Sequence, residues 1–301
     1  AAIASASDEL IAEGPGDILI FLPTERDIRE THKHLRGHFT RLGGALEILP
    51  LYARLSQGEQ NKIFSAHAGR RIVLSTNVAE SSLTVPGIRY VIDTGLVRIS
   101  RYAPRSKVQR LPIEGVSQAS ANQRAGRCGR LGPGICIRLF AQDDYATRSL
   151  YTTPEIRRSD LASVLLQSKT LRLGPLTEFP LLDPPSAEAM RDAERTLREL
   201  GAIDPSDGLT EIGRQLGRLP CEPRVGRMLL EAHQHGCLAE VVIIAAGLET
   251  QDVRQRPTGL RPQADEAHAP FADPHSDFLS YLRLWDFYER LKSDLGRSRL
   301  Q

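Results

Sequence analysis

From Asp17 onward the apolar positions alternate between two rhythms: short continuous runs that a strand buries on both faces, and longer stretches with helical spacing. The continuous runs are Asp17-Ile-Leu-Ile-Phe-Leu22, Leu46-Glu-Ile-Leu-Pro-Leu51, Arg71-Ile-Val-Leu-Ser75, Ile88-Arg-Tyr-Val-Ile-Asp93 and Gly134-Ile-Cys-Ile-Arg-Leu-Phe140. Between them one helix begins near Thr24 and carries Ile28 and Leu35, and a second runs from Gln57 to Phe64. Such β/α alternation predicts an α/β domain, a doubly wound parallel sheet with helices on both faces, over residues 17–150. Val97 to Ile113 breaks the rhythm. Its two short alternating segments around Ala103-Pro-Arg-Ser106 predict a basic β-hairpin, either a plain edge ribbon or an arm standing off the sheet.

After Tyr151 helices dominate. Leu161 to Leu171 is amphipathic, and the Pro-rich Phe179-Pro-Leu-Leu-Asp-Pro-Pro185 leads into Ser186, a candidate cap for a helix burying Ala189, Ala193, Leu197 and Leu200. Gly201 is its expected terminator. With a short ribbon at Ala202-Ile-Asp204 and Gly208-Leu-Thr210, this predicts a winged-helix domain over 151–220. Helices at Val225–His235, Leu238–Leu248 and Asp277–Leu295 then predict a partial helical bundle over 221–301, without a closing element. The small, polar, weakly acidic opening predicts a flexible tail or linker over 1–16.

Composition adds bounds. A hydrophobic content of 41% is that of an ordinary globular chain, and the apolar stretch Leu238 to Leu248 is far short of the roughly 20 residues that span a bilayer. No membrane role is expected. Cysteines 128, 136, 221 and 237 have neither disulfide-framework nor zinc-site spacing, so no metal ligand is predicted and a reducing cytoplasm fits. Net charge is only +2, yet Val97 to Arg138 holds nine cations (Arg98, Arg101, Arg105, Lys107, Arg110, Arg124, Arg127, Arg130, Arg138) against one anion, Glu114. The segment is either a solvated basic face or the footprint of a polyanion.

The densest chemistry is Ser120-Ala-Asn-Gln-Arg-Ala-Gly-Arg-Cys-Gly-Arg130. Arginines at 124, 127 and 130 recur every three residues, so on a helix they project from one face, crowded unless an anion sits among them. Gly126 and Gly129 each weaken a helix by up to about 1 kcal/mol and permit close backbone approach to a ligand. A phosphate offsets both costs, and the planar guanidinium suits it.

On these residues a family resemblance becomes specific. Gln123 to Arg130 resembles motif VI of superfamily 2 helicases, and Ser75-Thr-Asn-Val-Ala-Glu-Ser-Ser-Leu-Thr-Val-Pro-Gly87 is similar to motif V of the DEAH-box subgroup. Ile18-Leu-Ile-Phe-Leu-Pro-Thr24 looks like motif IV, and Leu51-Tyr-Ala-Arg-Leu-Ser56 with Gln60 to Phe64 resembles the segment between. Thr153-Pro-Glu-Ile-Arg-Arg158 and Asp183-Pro-Pro185 match the winged-helix segment, and the bacterial HrpA-like branch fits from about Asp17 to the end.

The resemblance implies a second RecA-like domain, with Arg127 and Arg130 as fingers on the γ-phosphate of ATP and Gln123 orienting the attacking water. It also implies nucleotide contacts at Phe64 and Thr84, and RNA contacts at Thr76, Asn77, Arg54 and Ser82. Read from the residues alone, Phe64 is equally a packed helix-face aromatic, and Thr76 and Asn77 are equally strand-end caps. The implied substrates are ATP with Mg²⁺, whose ligands are expected on an N-terminal RecA-like domain in cis, and single-stranded RNA, mRNA on ribosomes among it. A DNA helicase of the same superfamily and a non-catalytic nucleic-acid-binding adaptor are the alternatives.

Departures and absences sharpen the expectation. Pro86 stands where relatives often carry Asp at the nucleotide ribose, and Arg54 where many eukaryotic members carry Ser; Cys128 replaces the usual Ala and is given no redox role. Asp265-Glu-Ala-His268 spells the box that names the family, yet it follows no apolar run and comes after motifs IV to VI, so a loop or helix start is expected rather than a catalytic site. None of the five lysines (33, 62, 107, 169, 292) follows Gly, so the phosphate-cradling Gly-Lys-Ser/Thr is absent from these residues. The chain is expected to be a fragment that does not hydrolyse ATP alone.

Overall fold

The computed structural model describes residues 1–41, 46–103, 106–130, 132–250, 252–254 and 261–295. Two compact units form, Ala1–Ser159 and Asp160–Gln301. In the first, strands β1 (Asp17–Phe21), β2 (Glu47–Leu51), β3 (Arg71–Ser75), β4 (Ile88–Asp93) and β9 (Ile135–Arg138) make one sheet in the order β2-β3-β1-β4-β9. Every pairing is parallel, with Leu19 beside Val73 and Val91. β1 and β3 are buried throughout, as central strands covered on both faces must be, which is why they read as unbroken apolar runs.

Alternate residues divide between two cores. Ile18, Ile20, Leu22, Ile72, Leu74 and Ile92 pack with α2 (Glu25–Arg41) through Ile28, Leu35 and Phe39. Leu19, Phe21, Val73 and Val91 face the other way, toward Ile63 of α3 (Gln57–Phe64) and toward Ala79, Val85 and Cys128. A capping box starts α3, with Ser56 and Glu59 satisfying each other's backbone N–H groups.

The opening residues, expected as a flexible tail, form a helix instead, α1 (Ala2–Ala12). Leu10 is wholly buried in the α2-side core with Ala4 and Ala6, and Asp8 pairs with His38 of α2 at 2.8 Å. Ser5 and Glu9, which suggest a tail, occupy the outer face of an amphipathic helix, while Ser7 is buried with its hydroxyl donating to the Ile3 carbonyl at 2.8 Å.

The predicted hairpin is present. β5 (Leu96–Arg98) pairs with β8 (Ile113–Gly115), and farther out β6 (Arg101–Ala103) pairs with β7 (Val108–Arg110). Arg105, counted among the basic residues, lies outside the described residues. At the root, α4 (Gln118–Ala125) starts on Ser117, whose hydroxyl accepts the Ser120 N–H, and α5 (Gln142–Thr147) follows β9.

In the second unit α6 (Ala162–Thr170) packs on α7 (Ala187–Glu199) and α8 (Glu211–Leu216). Ser186 caps α7 as expected, Met190, Ala193 and Leu197 are buried, and Gly201 at φ +69° ends it in the left-handed region. The ribbon is a single bridge, Ile203 to Leu209. Helices α9 (Pro223–Gln234), α10 (Leu238–Glu249), α11 (Arg261–His268) and α12 (Asp277–Leu295) complete it, α10 packing on α9 and α12. Among the described residues no helix is long and apolar enough to cross a membrane.

The largest fully buried side chain among the described residues is Arg124 on α4. Its Nε donates to Glu80 at 2.9 Å, its Nη1 donates to Asp93 at 2.8 Å and to the Leu96 carbonyl, and its guanidinium lies 4.8 Å from the centre of the Phe21 ring. Removing one member of such a cluster strands the others' charge. Arg124→Met is therefore expected to destabilise the first unit by about 3–5 kcal/mol in urea unfolding followed by circular dichroism, whereas Arg26→Ala, which breaks a solvent-exposed pair with Glu30, leaves the midpoint in place. Leu10→Ala is expected to cost about 2–5 kcal/mol in the same measurement; a tail residue would cost nothing.

Candidate functional site

The arginine run does not form the single helical face that its spacing predicts. α4 ends at Ala125, and residues 126–129 wind on as tight turns, with Arg127 N–H donating to the Arg124 carbonyl at 3.1 Å and Cys128 N–H to Ala125 at 3.3 Å. Two glycines in four residues remove the helix's advantage. The tighter winding aims the three guanidinia differently: Arg124 inward, Arg127 along the surface under cover, Arg130 outward. Crowding at Arg124 is relieved by the protein's own carboxylates, Glu80 and Asp93.

Arg127 is buried and donates to two backbone carbonyls of the preceding loop, Leu83 at 3.2 Å and Glu80. Burial, and secondarily the adjacent Arg130 charge, pull its pKa below the ordinary guanidinium value. An anion beside both relieves that repulsion. Arg130 is exposed and donates through Nη1 to the Thr84 hydroxyl at 2.5 Å. Gln123 is exposed on α4, one turn before Arg127. Cys128 and Cys136 are pushed upward by burial, Cys136 to about 12, so neither is a thiolate at neutral pH.

The remaining candidates separate onto opposite edges of the sheet. At its carboxyl edge, β2 and β3 release Arg54 and Thr76-Asn77: the Thr76 N–H donates to Leu51, the last residue of β2, at 3.2 Å. Thr76 does not cap the short turn Asn77–Ala79 with its side chain, Asn77 is exposed, and Arg54 is exposed with Glu25 at 3.7 Å. At the amino edge lie the end of α3 and the turn before β4. Arg71, the first residue of β3, donates to Ile63 and Ser65 carbonyls at 2.8 and 3.2 Å, which places Phe64 there. Asp17, the first residue of β1, donates its N–H to the Gly87 carbonyl at 3.2 Å, which places the 84–87 turn there also.

Phe64 is 44% exposed, so it does not serve as a packed helix-face aromatic within this unit. Gly87, at φ +78°, makes its turn where a Cβ would lie 2.6 Å from the Asp17 carboxylate. The loop 76–87 thus joins the two edges, crossing the α3 side of the sheet with Ala79 and Val85 buried beneath it and Ser82 exposed.

Two site residues were missed in the sequence, Glu80 and Asp93. A carboxylate that closes β4 directly after the buried Tyr90-Val-Ile92 is the signal that a cation must reach it. Asp265 to His268 lies in α11, in the helical second unit and not at a strand end. Among the described residues no group of three or more His, Cys, Asp or Glu side chains is arranged to hold a metal ion.

Comparison with known proteins accounts for this arrangement. Residues 2–132 match the helicase conserved C-terminal domain, 193–221 the winged-helix helicase-associated domain, and 222–281 the ratchet-like helicase-associated domain. The chain is 54% identical over 291 residues to the ATP-dependent RNA helicase HrpA of Escherichia coli, covering 95% of this chain and 22% of that protein. It is 49% identical over 306 residues to the HrpA homolog of Haemophilus influenzae, covering 99% of this chain and 23% of that one. The chain therefore spans under a quarter of the length of these curated relatives. Among solved structures, the E. coli DExH-box NTPase HrpB superposes with a TM-score of 0.76 at 33% identity, over 97% of this chain and 34% of that one. Motifs, fold and domain order together assign the chain to the DEAH-box helicase family, on its HrpA-like branch.

Proposed function

We propose that the protein containing this chain is an ATP-dependent RNA helicase in which residues 17–150 supply the finger side of the ATP site and grip single-stranded RNA, with 151–220 and 221–301 as winged-helix and ratchet-like modules. The observation that carries this reading is the state of Arg130: an exposed guanidinium engaged with a neutral Thr84 hydroxyl, at the sheet edge that also bears exposed Phe64.

These residues fit a nucleotide triphosphate. Arg130, with no carboxylate in its described bond to Thr84, is available to a phosphate, and Phe64 offers a ring face to a base. Bound ATP would supply the phosphoryl group, with Mg²⁺ held by the N-terminal RecA-like domain that also carries the phosphate cradle. Arg130 and Arg127 stabilise charge developing on the γ-phosphate, and Gln123 orients the attacking water. Pro86 offers no side-chain hydrogen bond, so ribose selection rests on other groups.

On the opposite edge Thr76, Asn77 and Arg54 contact the RNA backbone, where small polar groups and one cation reach phosphate and 2′-hydroxyl. Ser82, exposed on the connecting loop, joins that surface. The hairpin carries Arg98, Arg110 and Arg101, the last paired with Glu114 at 2.6 Å, and its proposed role is to part duplex. All four cysteines are free, in keeping with a cytoplasmic location.

In the full-length gene product, Arg130→Ala is expected to lower RNA-stimulated ATP turnover about a thousandfold, the usual worth of an arginine finger, and Lys at this position does not restore it because its point charge lacks the bidentate fork. Unchanged turnover refutes the finger; stimulation by single-stranded DNA but not RNA moves the assignment to a DNA helicase. Arg54→Ala is expected to flatten the slope of log binding constant against log salt by about 0.7, one phosphate contact on a single strand, as measured by fluorescence anisotropy. The 301-residue chain alone is expected to show no ATP hydrolysis.

A further inference from the structure

We infer that the cavity at the root of the hairpin is a pocket for a single nucleobase of the RNA strand, stacked on Arg148. The inference rests on the function proposed above, whose RNA contacts are all to the backbone, and adds a contact to a base. The cavity, about 300 Å³, lies between β5 and β8 on one side and residues 147–153, which leave α5, on the other. That volume is at the low end of ligand sites, room for one small ring system. Every residue that lines it belongs to the first unit.

Arg148 supplies the stacking surface. Its Nη1 donates to the Gly95 carbonyl at 2.9 Å, its Nη2 pairs with Asp144 at 2.6 Å, and its Cζ lies 4.1 Å from the centre of the Phe140 ring. Phe140 lies outside the cavity lining, whereas Gly115 of β8 is part of it. A Cβ at position 115 would lie 3.6 Å from Cζ and 3.8 Å from both Nε and Nη2, and so over the guanidinium plane. The missing side chain leaves that face bare toward the cavity. A fixed guanidinium plane with one open face is a stacking platform for an unpaired base.

The pairing of charges favours a base over a phosphate. The edge of the Arg148 guanidinium is turned into the protein: Nη1 and Nη2 are engaged and Nε is buried, so no bidentate fork is presented. Arg101, the other cation of the lining, donates Nε and Nη2 to Glu114 at 2.6 and 2.8 Å. Each lining cation is therefore matched by a carboxylate, and a neutral ring is the better guest. The rest of the wall is rich in hydroxyls, Ser117 and Thr152 in contact at 3.0 Å, with Ser149 and Thr153 beside them. Hydroxyls both donate and accept, so the ring edge of any base is accommodated. Tyr151 lines the cavity with 76% of its surface exposed, an aromatic ring at the rim.

The test is binding of labelled oligouridylate to the full-length gene product, followed by fluorescence anisotropy, with one abasic nucleotide moved along the strand. At one position the missing base is expected to lower affinity about tenfold, within the range of one stacked base, and elsewhere much less. Gly115→Leu, which fills the space over Arg148, is expected to weaken the intact strand about tenfold and to abolish the further loss at that position, because both changes remove one contact. An even abasic scan in the parent protein overturns the inference, and so does a position-specific loss that persists in Gly115→Leu. Weaker binding with a flatter salt slope and the abasic pattern intact places a phosphate in the cavity and overturns it as well. If Gly115→Leu does not fold, Gly115→Ala decides, since its Cβ meets only ordinary contact distances: a smaller position-specific loss supports the pocket, and an undiminished one refutes it. A parent protein that binds no single-stranded RNA removes the proposed function together with the pocket; RNA bound with the parent pattern by both Gly115 variants removes the pocket alone.

Discussion

The burial of the Arg124 guanidinium between Glu80 and Asp93 is the constraint from which the rest of the first unit's site follows. A fully desolvated cation is tolerable only when its donors are matched, and here a carboxylate at the end of β4, a carboxylate in the loop after β3 and a backbone carbonyl at the hairpin root each take one. Such a cluster contributes little net stability against well-packed apolar residues, because desolvation offsets most of the attraction. What it contributes is geometry. Three segments far apart in sequence, residues 80, 93–96 and 124, are held in one relative position, and the tight turns beyond α4 inherit their direction from it.

Within that frame the three arginines are graded by environment. Arg124 has carboxylates, Arg127 has backbone carbonyls, and Arg130 has a neutral hydroxyl. Each step outward replaces a strong partner with a weaker one, so the affinity left over for an external anion rises along the run. Equal spacing in sequence therefore conceals unequal roles. The tight turns at 126–129, which the glycines permit, are the physical reason that the side chains diverge.

The sheet was legible in the sequence because parallel strands covered on both faces must be apolar throughout, and the caps at Ser56 and Ser186 because side-chain oxygens there satisfy specific backbone donors. Motif order and the Gly-rich arginine run fixed the candidate residues. What sequence patterning obscured was direction and partner. Residues 1–16 looked like a tail because a helix with one buried stripe, closing on Leu10, shows mostly small and polar residues when read linearly. Arg124 looked like a ligand cation because its carboxylate partners lie 44 and 31 residues away. The grouping of Phe64 with Thr84 and Arg130, opposite Arg54, Thr76 and Asn77, emerges only from strand direction in the assembled sheet.

That segregation bears on how a motor of the proposed kind must work. Phosphoryl transfer asks little covalent chemistry of the protein and much positioning, so a guanidinium displaced by an ångström or two from the phosphate loses most of its effect. Placing nucleotide-facing and RNA-facing groups on opposite edges of a rigid sheet prevents either ligand from touching the other's residues directly. The 76–87 loop touches both edges and is anchored at mid-length to α4. A softer anchor would absorb displacement at one edge before it reached the other. A half-buried carboxylate that accepts from two donors, one of them the buried Arg124, is a stiff connection, because its departure leaves the Arg124 charge short of a partner in low dielectric.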